Sequence, residues 1–234
     1  MECRVGRSLP VLFSMLLVAE VLLYVGAFAG YIWIALPDAA RLGGWNAAFA
    51  LFAVGFPICM NLLHGDRPRD SGIRLDTLGP SSREVGLATL AMAGGISLAG
   101  MLVGGWHWNS WPRLAEQMGL YVAWGLLQQY LLQAFALRRL LQARLPAVVA
   151  VPLAAGLFAA VHAPNWPLVA VTAGSGVIWC VLFLRRPNLL PLGLAHAALA
   201  VLVYHAWPRD WHYGLAIGPE YLQRVRDVAK WGWP

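Results

Sequence analysis

Six polar side chains stand where lipid-facing residues belong. Gln128, Gln129 and Gln133 interrupt the apolar run YVAWGLLQQYLLQAFALRR from Tyr121 to Arg139. His162 closes one later apolar run, His196 lies midway along another, and Glu20 is the one carboxylate well inside the first. An imidazole takes and returns protons near neutral pH, whereas an amide offers donors and an acceptor but no usable base. The bland alternative is that the glutamines only glue helices together: on an α-helix Gln129 and Gln133 form an i, i+4 row, with Gln128 about 100° round from Gln129. In either case hydrocarbon gives these groups nothing to bond, so they must face protein or water. Two histidines beside a glutamine-rich helix point to a polar pocket shielded by lipid, where perturbed groups cluster. Glu20 is costly enough to be functional by default, or it holds another helix through a hydrogen bond. His205 reads as interfacial, and His64, His107 and His212 as loop residues without signal.

The elements that carry these groups must cross a membrane. The chain is 59% hydrophobic and 12% charged, and its mean hydropathy is +0.61, outside the range of soluble domains. The net charge of +6 is mostly arginine in short segments between apolar runs, a pattern that orients membrane proteins and gives no case for nucleic acid. Cys3, Cys59 and Cys180 have no metal-ligand spacing and read as packing residues. Arg4 and Arg7 ahead of Ala27-Phe28-Ala29 imitate a cleaved signal, but the apolar run continues to Leu36 and reads as a retained helix.

At about 20 residues per crossing, seven segments qualify or nearly do: 10–36, 44–63, 84–106, 117–141, 146–162, 167–184 and 189–207. The fold class is therefore all-α, a polytopic transmembrane bundle of about seven spanning helices. Pro37-Asp38, the polar loop 64–83, the aromatic cluster 106–111 and the turns at 164–167 and 185–188 separate them. With the N-terminus cytoplasmic, Arg67, Arg69, Arg74, Arg83, Arg138, Arg139, Arg144, Arg185 and Arg186 join Arg4 and Arg7 inside. Arg41, Arg113 and the basic residues of the tail then fall outside, which puts the C-terminus beyond a bacterial inner membrane. The glycines of the third and sixth segments (Gly94, Gly95, Gly100, Gly104, Gly105; Gly174, Gly176) suggest that these two are central. One structural domain is expected, in three parts: residues 1–116, the polar-helix core 117–207, and an interfacial tail 208–234.

The order of the polar helices resembles the CAAX protease and bacteriocin-processing (CPBP, Abi) family of intramembrane endopeptidases. That family carries Glu-Glu-x-x-x-Arg, Phe-x-x-x-His and His-x-x-x-Asn on separate helices. Phe158 to His162 matches the second motif, followed by the Pro164-Asn165 turn. His196 matches the third, with Ala200 at its asparagine position. The first becomes Gln128-Gln129-Tyr-Leu-Leu-Gln133, followed by Arg138-Arg139-Leu140. The resemblance implies a CAAX-protease-like core and hydrolysis of a membrane-associated protein substrate. Gln128, Gln129, His162 and His196 then stand at catalytic positions, with Gln133, Phe158, Asn165 and Ala200 supporting. The amides replace the family's general base, so two readings follow: an endopeptidase variant with His162 as base, or an inactive relative that holds a partner's membrane segment as scaffold or regulatory subunit. No cofactor is implied. A divalent metal would have only His162 and His196, with no acid or thiolate to complete the set. A transporter or channel would want a longer polar path than these groups supply.

Overall fold

A computed structural model describes residues 8–35, 44–107 and 110–232; Cys3, Arg4, Arg7, Pro37-Asp38 and Arg41 lie outside them. The described chain is helical: α1 (Ser8–Gly30, continuing through a π-helical turn Tyr31–Ala35), α2 (Gly44–Leu63), α3 (Leu78–Leu102) and α4 (Trp111–Gln129). An eight-residue π-helical stretch, Tyr130–Leu137, joins α4 to α5 (Arg138–Gln142). Then come α6 (Ala147–Ala160), α7 (Trp166–Arg185), α8 (Leu189–Ala206), the short α9 (Arg209–His212) and α10 (Gly218–Trp231).

Five of these are long and apolar enough to cross a bilayer: Val11–Ala35, Asn46–Leu63, Leu78–Leu102, Trp166–Arg185 and Leu189–Ala206. That is fewer than the seven expected from sequence, for two physical reasons. The 14 residues of α6 rise only about 21 Å, short of a hydrocarbon core about 30 Å thick. In α4, Arg113, Glu116, Gln117, Gln128 and Gln129 dilute the apolar run. Several long apolar helices nonetheless support an integral membrane protein, and large residues such as Leu23, Ile34, Leu51, Leu90 and Leu102 are exposed on them as a lipid-facing surface requires.

The centre of the bundle is α8, two-thirds buried along its length, which packs most extensively on α4 and also on α3, while α6 pairs with α7. The glycine-rich third segment is thus a flank, which corrects the expectation that it is central. Of its glycines, Gly100 abuts the Ala206 carbonyl and Gly105 abuts Pro208, whereas a side chain at Gly94 or Gly95 would meet nothing. The crossing that matters lies elsewhere. A Cβ at Gly125 of α4 would sit 2.7 Å from the Gly193 carbonyl oxygen of α8, and one at Gly193 would strike Leu126 at 2.5 Å. Two bare backbones therefore touch, and the side chains one turn further on each helix, Gln129 and His196, are brought together.

A smaller aromatic core ties the N-terminal helices to the π-helical stretch. Tyr24 stacks on Phe52 and Phe56 and meets Phe135 edge-on at 5.3 Å, and its hydroxyl donates to the Ala53 carbonyl at 2.8 Å.

Candidate functional site

Four elements build a cavity of about 510 Å³, between α3, α4, α7 and α8, with the end of α6 at its edge. Gln128, His162, His196 and Ala200 all line it, together with Tyr121 and Trp124. His162 follows α6 in a turn, and its Nδ1 lies 2.8 Å from the Phe158 carbonyl oxygen. A carbonyl only accepts, so Nδ1 carries the proton and Nε2 is left as a lone pair without a protein partner.

His196 is held the opposite way round. The Gln129 amide Nε2 lies 3.1 Å from His196 Nδ1, and an amide nitrogen only donates, so this Nδ1 is the acceptor and the proton sits on Nε2. Gln133 fixes the amide in turn, its Nε2 donating to Gln129 Oε1 at 3.1 Å. Gln129 and Gln133 are fully buried. Trp179 stacks on His196 at 4.9 Å and 17°, and Phe158 sets its edge toward both histidines, at 5.0 and 5.9 Å. The cavity therefore receives one imidazole as acceptor and the other as donor, each locked by its far nitrogen.

The remaining sequence candidates divide. Gln128 reaches the cavity, with its Oε1 buried and unbonded. Ala200 presents only a methyl there. Gln133 acts through Gln129. Asn165 is buried away from both imidazoles: its Oδ1 caps α7 at Leu168 N, 3.3 Å away, while Nδ2 donates to the His212 and Ala216 carbonyls at 2.9 and 3.0 Å. It pins the end of α9 and the segment after it across one mouth of the cavity, where Leu215 and Ile217 join the lining. His205, expected at the interface, is buried and meets Gln117 at 3.0 Å, and His212 is buried beside His107.

Glu20 lies outside the cavity. Its Oε1 meets His64 Nε2 at 2.7 Å and its Oε2 accepts from Arg139 Nε at 3.2 Å. Arg139 is wholly buried and also donates to Asp66 Oδ2 at 2.9 Å, to Asn61 Oδ1 at 2.7 Å and to Gln142. Arg138 donates to the other Asp66 oxygen at 2.6 Å. Burial alone would raise the Asp66 carboxyl, but hydrogen bonds from Arg138 and Arg139 overcome it and hold the group below the usual carboxylate range. Sequence reasoning placed the two arginines at the cytoplasmic end of the 117–141 segment and missed this network. The one signal available was that Arg138-Arg139 directly continues an apolar helix.

Among the described residues no three His, Cys, Asp or Glu side chains are grouped to hold a metal ion, and no Asp or Glu lines the cavity. Fold and site together define a polytopic membrane protein with an apolar-walled cavity bearing two oppositely oriented imidazoles. Residues 125–202, a third of the chain, match the family profile described as type II CAAX prenyl endopeptidase Rce1-like. That stretch holds Gln128, Gln129, His162 and His196. No curated protein and no solved structure matches the chain.

Proposed function

We propose that this protein is an intramembrane endopeptidase of the CPBP type, hydrolysing a peptide bond in a membrane-associated protein with His162 as its base. The observation that carries this is the pair of opposed tautomers at one cavity. Water between the imidazoles gives its proton to His162 Nε2 while its oxygen attacks the scissile carbonyl carbon. The developing oxyanion accepts from His196 Nε2–H and from the Gln128 amide nitrogen. The His162 imidazolium then returns its proton to the leaving amine nitrogen as the C–N bond breaks. The Gln-Gln-x-x-x-Gln segment here takes the place of the family's paired glutamates and arginine. The family match over residues 125–202 and the long apolar helices support this reading.

One observation favours a second reading, a catalytically inactive relative that holds a partner's membrane segment as scaffold or regulatory subunit. Among the described residues no carboxylate lines the cavity, and loss of a general base costs about 10²–10⁴-fold in rate. A reconstituted cleavage assay on membrane-anchored peptides separates the two. Turnover abolished by His162→Ala supports the enzyme; turnover that arises only with Gln128→Glu marks a disarmed site.

In the same proposal all seven sequence segments cross the bacterial inner membrane, with the N-terminus cytoplasmic, the C-terminus outside and residues 117–207 as the core of one domain. Cysteine labelling of the 164–167 turn from one side only checks the orientation; labelling from the cytoplasm would reverse it.

A further inference from the structure

The outer end of the cavity is stapled shut. Trp207 of the post-α8 turn donates its indole N–H to the Ile96 carbonyl of α3 at 3.2 Å, Gly105 packs on Pro208, and the segment bearing Leu215 and Ile217 is held down by Asn165. The side is different. Gly95 of α3 and Gly174 of α7 both line the cavity, both are exposed, and a Cβ at either would meet no atom within 4 Å. Ile178, one helical turn beyond Gly174, is 39% exposed on the same rim. Both glycines sit well inside helices long and apolar enough to span, so a gap at that depth opens onto hydrocarbon. Close helix packing is the usual reason for glycine here, but at these two positions nothing packs.

We propose that the slot between α3 and α7 is a lateral portal through which an apolar polypeptide segment enters from the lipid, with Gly95 and Gly174 setting the size of side chain admitted. A polypeptide fits better than a lipid tail because of what waits behind the slot. His162 and His196, each 7% exposed, keep an unpartnered Nε2, and Gln128 Oε1 is buried without a donor. A hydrocarbon chain would leave all three unsatisfied, whereas an unwound peptide brings N–H and C=O groups to them. This deepens the proposed function by naming the route and the filter, yet it holds for a cleaved substrate or a captured partner segment alike.

The test is photo-crosslinking in proteoliposomes, with p-benzoylphenylalanine in place of Ile178 and two probes. One is a biotinylated, leucine-rich single-span peptide and the other a biotinylated phospholipid. Peptide crosslinking is expected, falling about tenfold in Gly174→Leu and in Gly95→Leu. Gly55→Leu, at an open α2 position away from the cavity, is expected to leave it unchanged. Both leucine variants should remain monodisperse; were one to misfold, the other carries the same comparison. Unchanged peptide yield in the folded variants, or crosslinking of the phospholipid alone, overturns the portal. A portal that passes while no variant cleaves any peptide leaves the route standing and removes the enzyme. Cleavage lost in His162→Ala but crosslinking indifferent to both leucines does the reverse.

Discussion

The two ends of one long helix carry polar networks of opposite kind. At its α4 end, Gln133, Gln129 and His196 form a neutral chain in which every bond runs one way, toward an imidazole that still has a nitrogen to spend. At its α5 end, Arg138 and Arg139 meet Glu20, Asp66, Asn61 and Gln142 in a charged network with almost nothing left over. The lesson lies in what is unsatisfied. An ionic cluster that spends nearly every group on its own members fixes the relative positions of α1, α2 and α5, with only the buried Arg138 Nε left without a partner. A neutral network costs less to bury, because no ion loses its hydration, and it can leave groups open to a visitor.

The comparison breaks most visibly at Arg139. Arg139→Leu breaks a buried ion pair, leaving Asp66 to Arg138 and Gln142 and Glu20 to His64, and is expected to cost about 3–5 kcal/mol, read as a large drop in thermal unfolding midpoint in detergent; a stable variant would mean that the ionic end is not the anchor. Gln129→Leu should cost less, about 1–3 kcal/mol, since it strands only neutral groups. The sharper variant is Gln129→Glu. A carboxylate must accept from His196 Nδ1–H, which turns Nε2 from donor to acceptor, so the ¹⁵N shifts of His196 should exchange between the two ring nitrogens. Unchanged shifts would show that Gln129 does not set the tautomer.

Acid supplies a smaller effect. Burial pushes the His212 imidazole from its ordinary 6.5 down to about 4, and the arginines lower Asp66 from 3.8. Both bind protons more weakly in the folded chain than in the unfolded one. The stability each contributes is complete above its ordinary value and is lost as pH falls through the folded one. The unfolding midpoint should therefore decline from about pH 6.5 toward 4 through His212 and further below 3.8 through Asp66. His212→Phe should lessen the decline in the upper window and leave the lower one in place, and an equal slope in that variant would assign it elsewhere. Smallest of all is Arg74→Ala. The guanidinium hydrogen-bonds Asp76 and holds it at about 2, but Asp76 is exposed to solvent, so the Asp76 titration should rise while the unfolding midpoint barely moves.

Much of the cavity was legible because hydrocarbon makes exceptions conspicuous: Gln128, His162 and His196 stand out in apolar runs, and the spacing of three motifs places them on three helices. Which amide does what was not legible. Gln128 and Gln129 are adjacent in sequence, and only the Gly125–Gly193 contact decides that Gln129 takes the histidine while Gln128 is left to the cavity. Asn165 looked like part of a catalytic turn, yet its partners at residues 212 and 216 are set by how the chain returns after α8. The ion pair of Glu20 with Arg139 spans 119 residues, and no local pattern in an apolar helix names such a partner. The sequence counts seven crossings where five described helices are long and apolar enough, and the difference lies at α4 and α6, where polar dilution and shortness compete with the apolar rhythm.

The π-helical turns at Tyr130–Leu137 keep the two networks in phase. An inserted residue rotates whatever follows by about 100° relative to an unbroken α-helix, and here that offset lets one rod address α8 with its first half and α1 and α2 with its second. Losing a single residue from this stretch would not produce a local dent. It would set the two halves against each other, so that the chain could keep its arginines clasped or its amide on the imidazole, but not both at once.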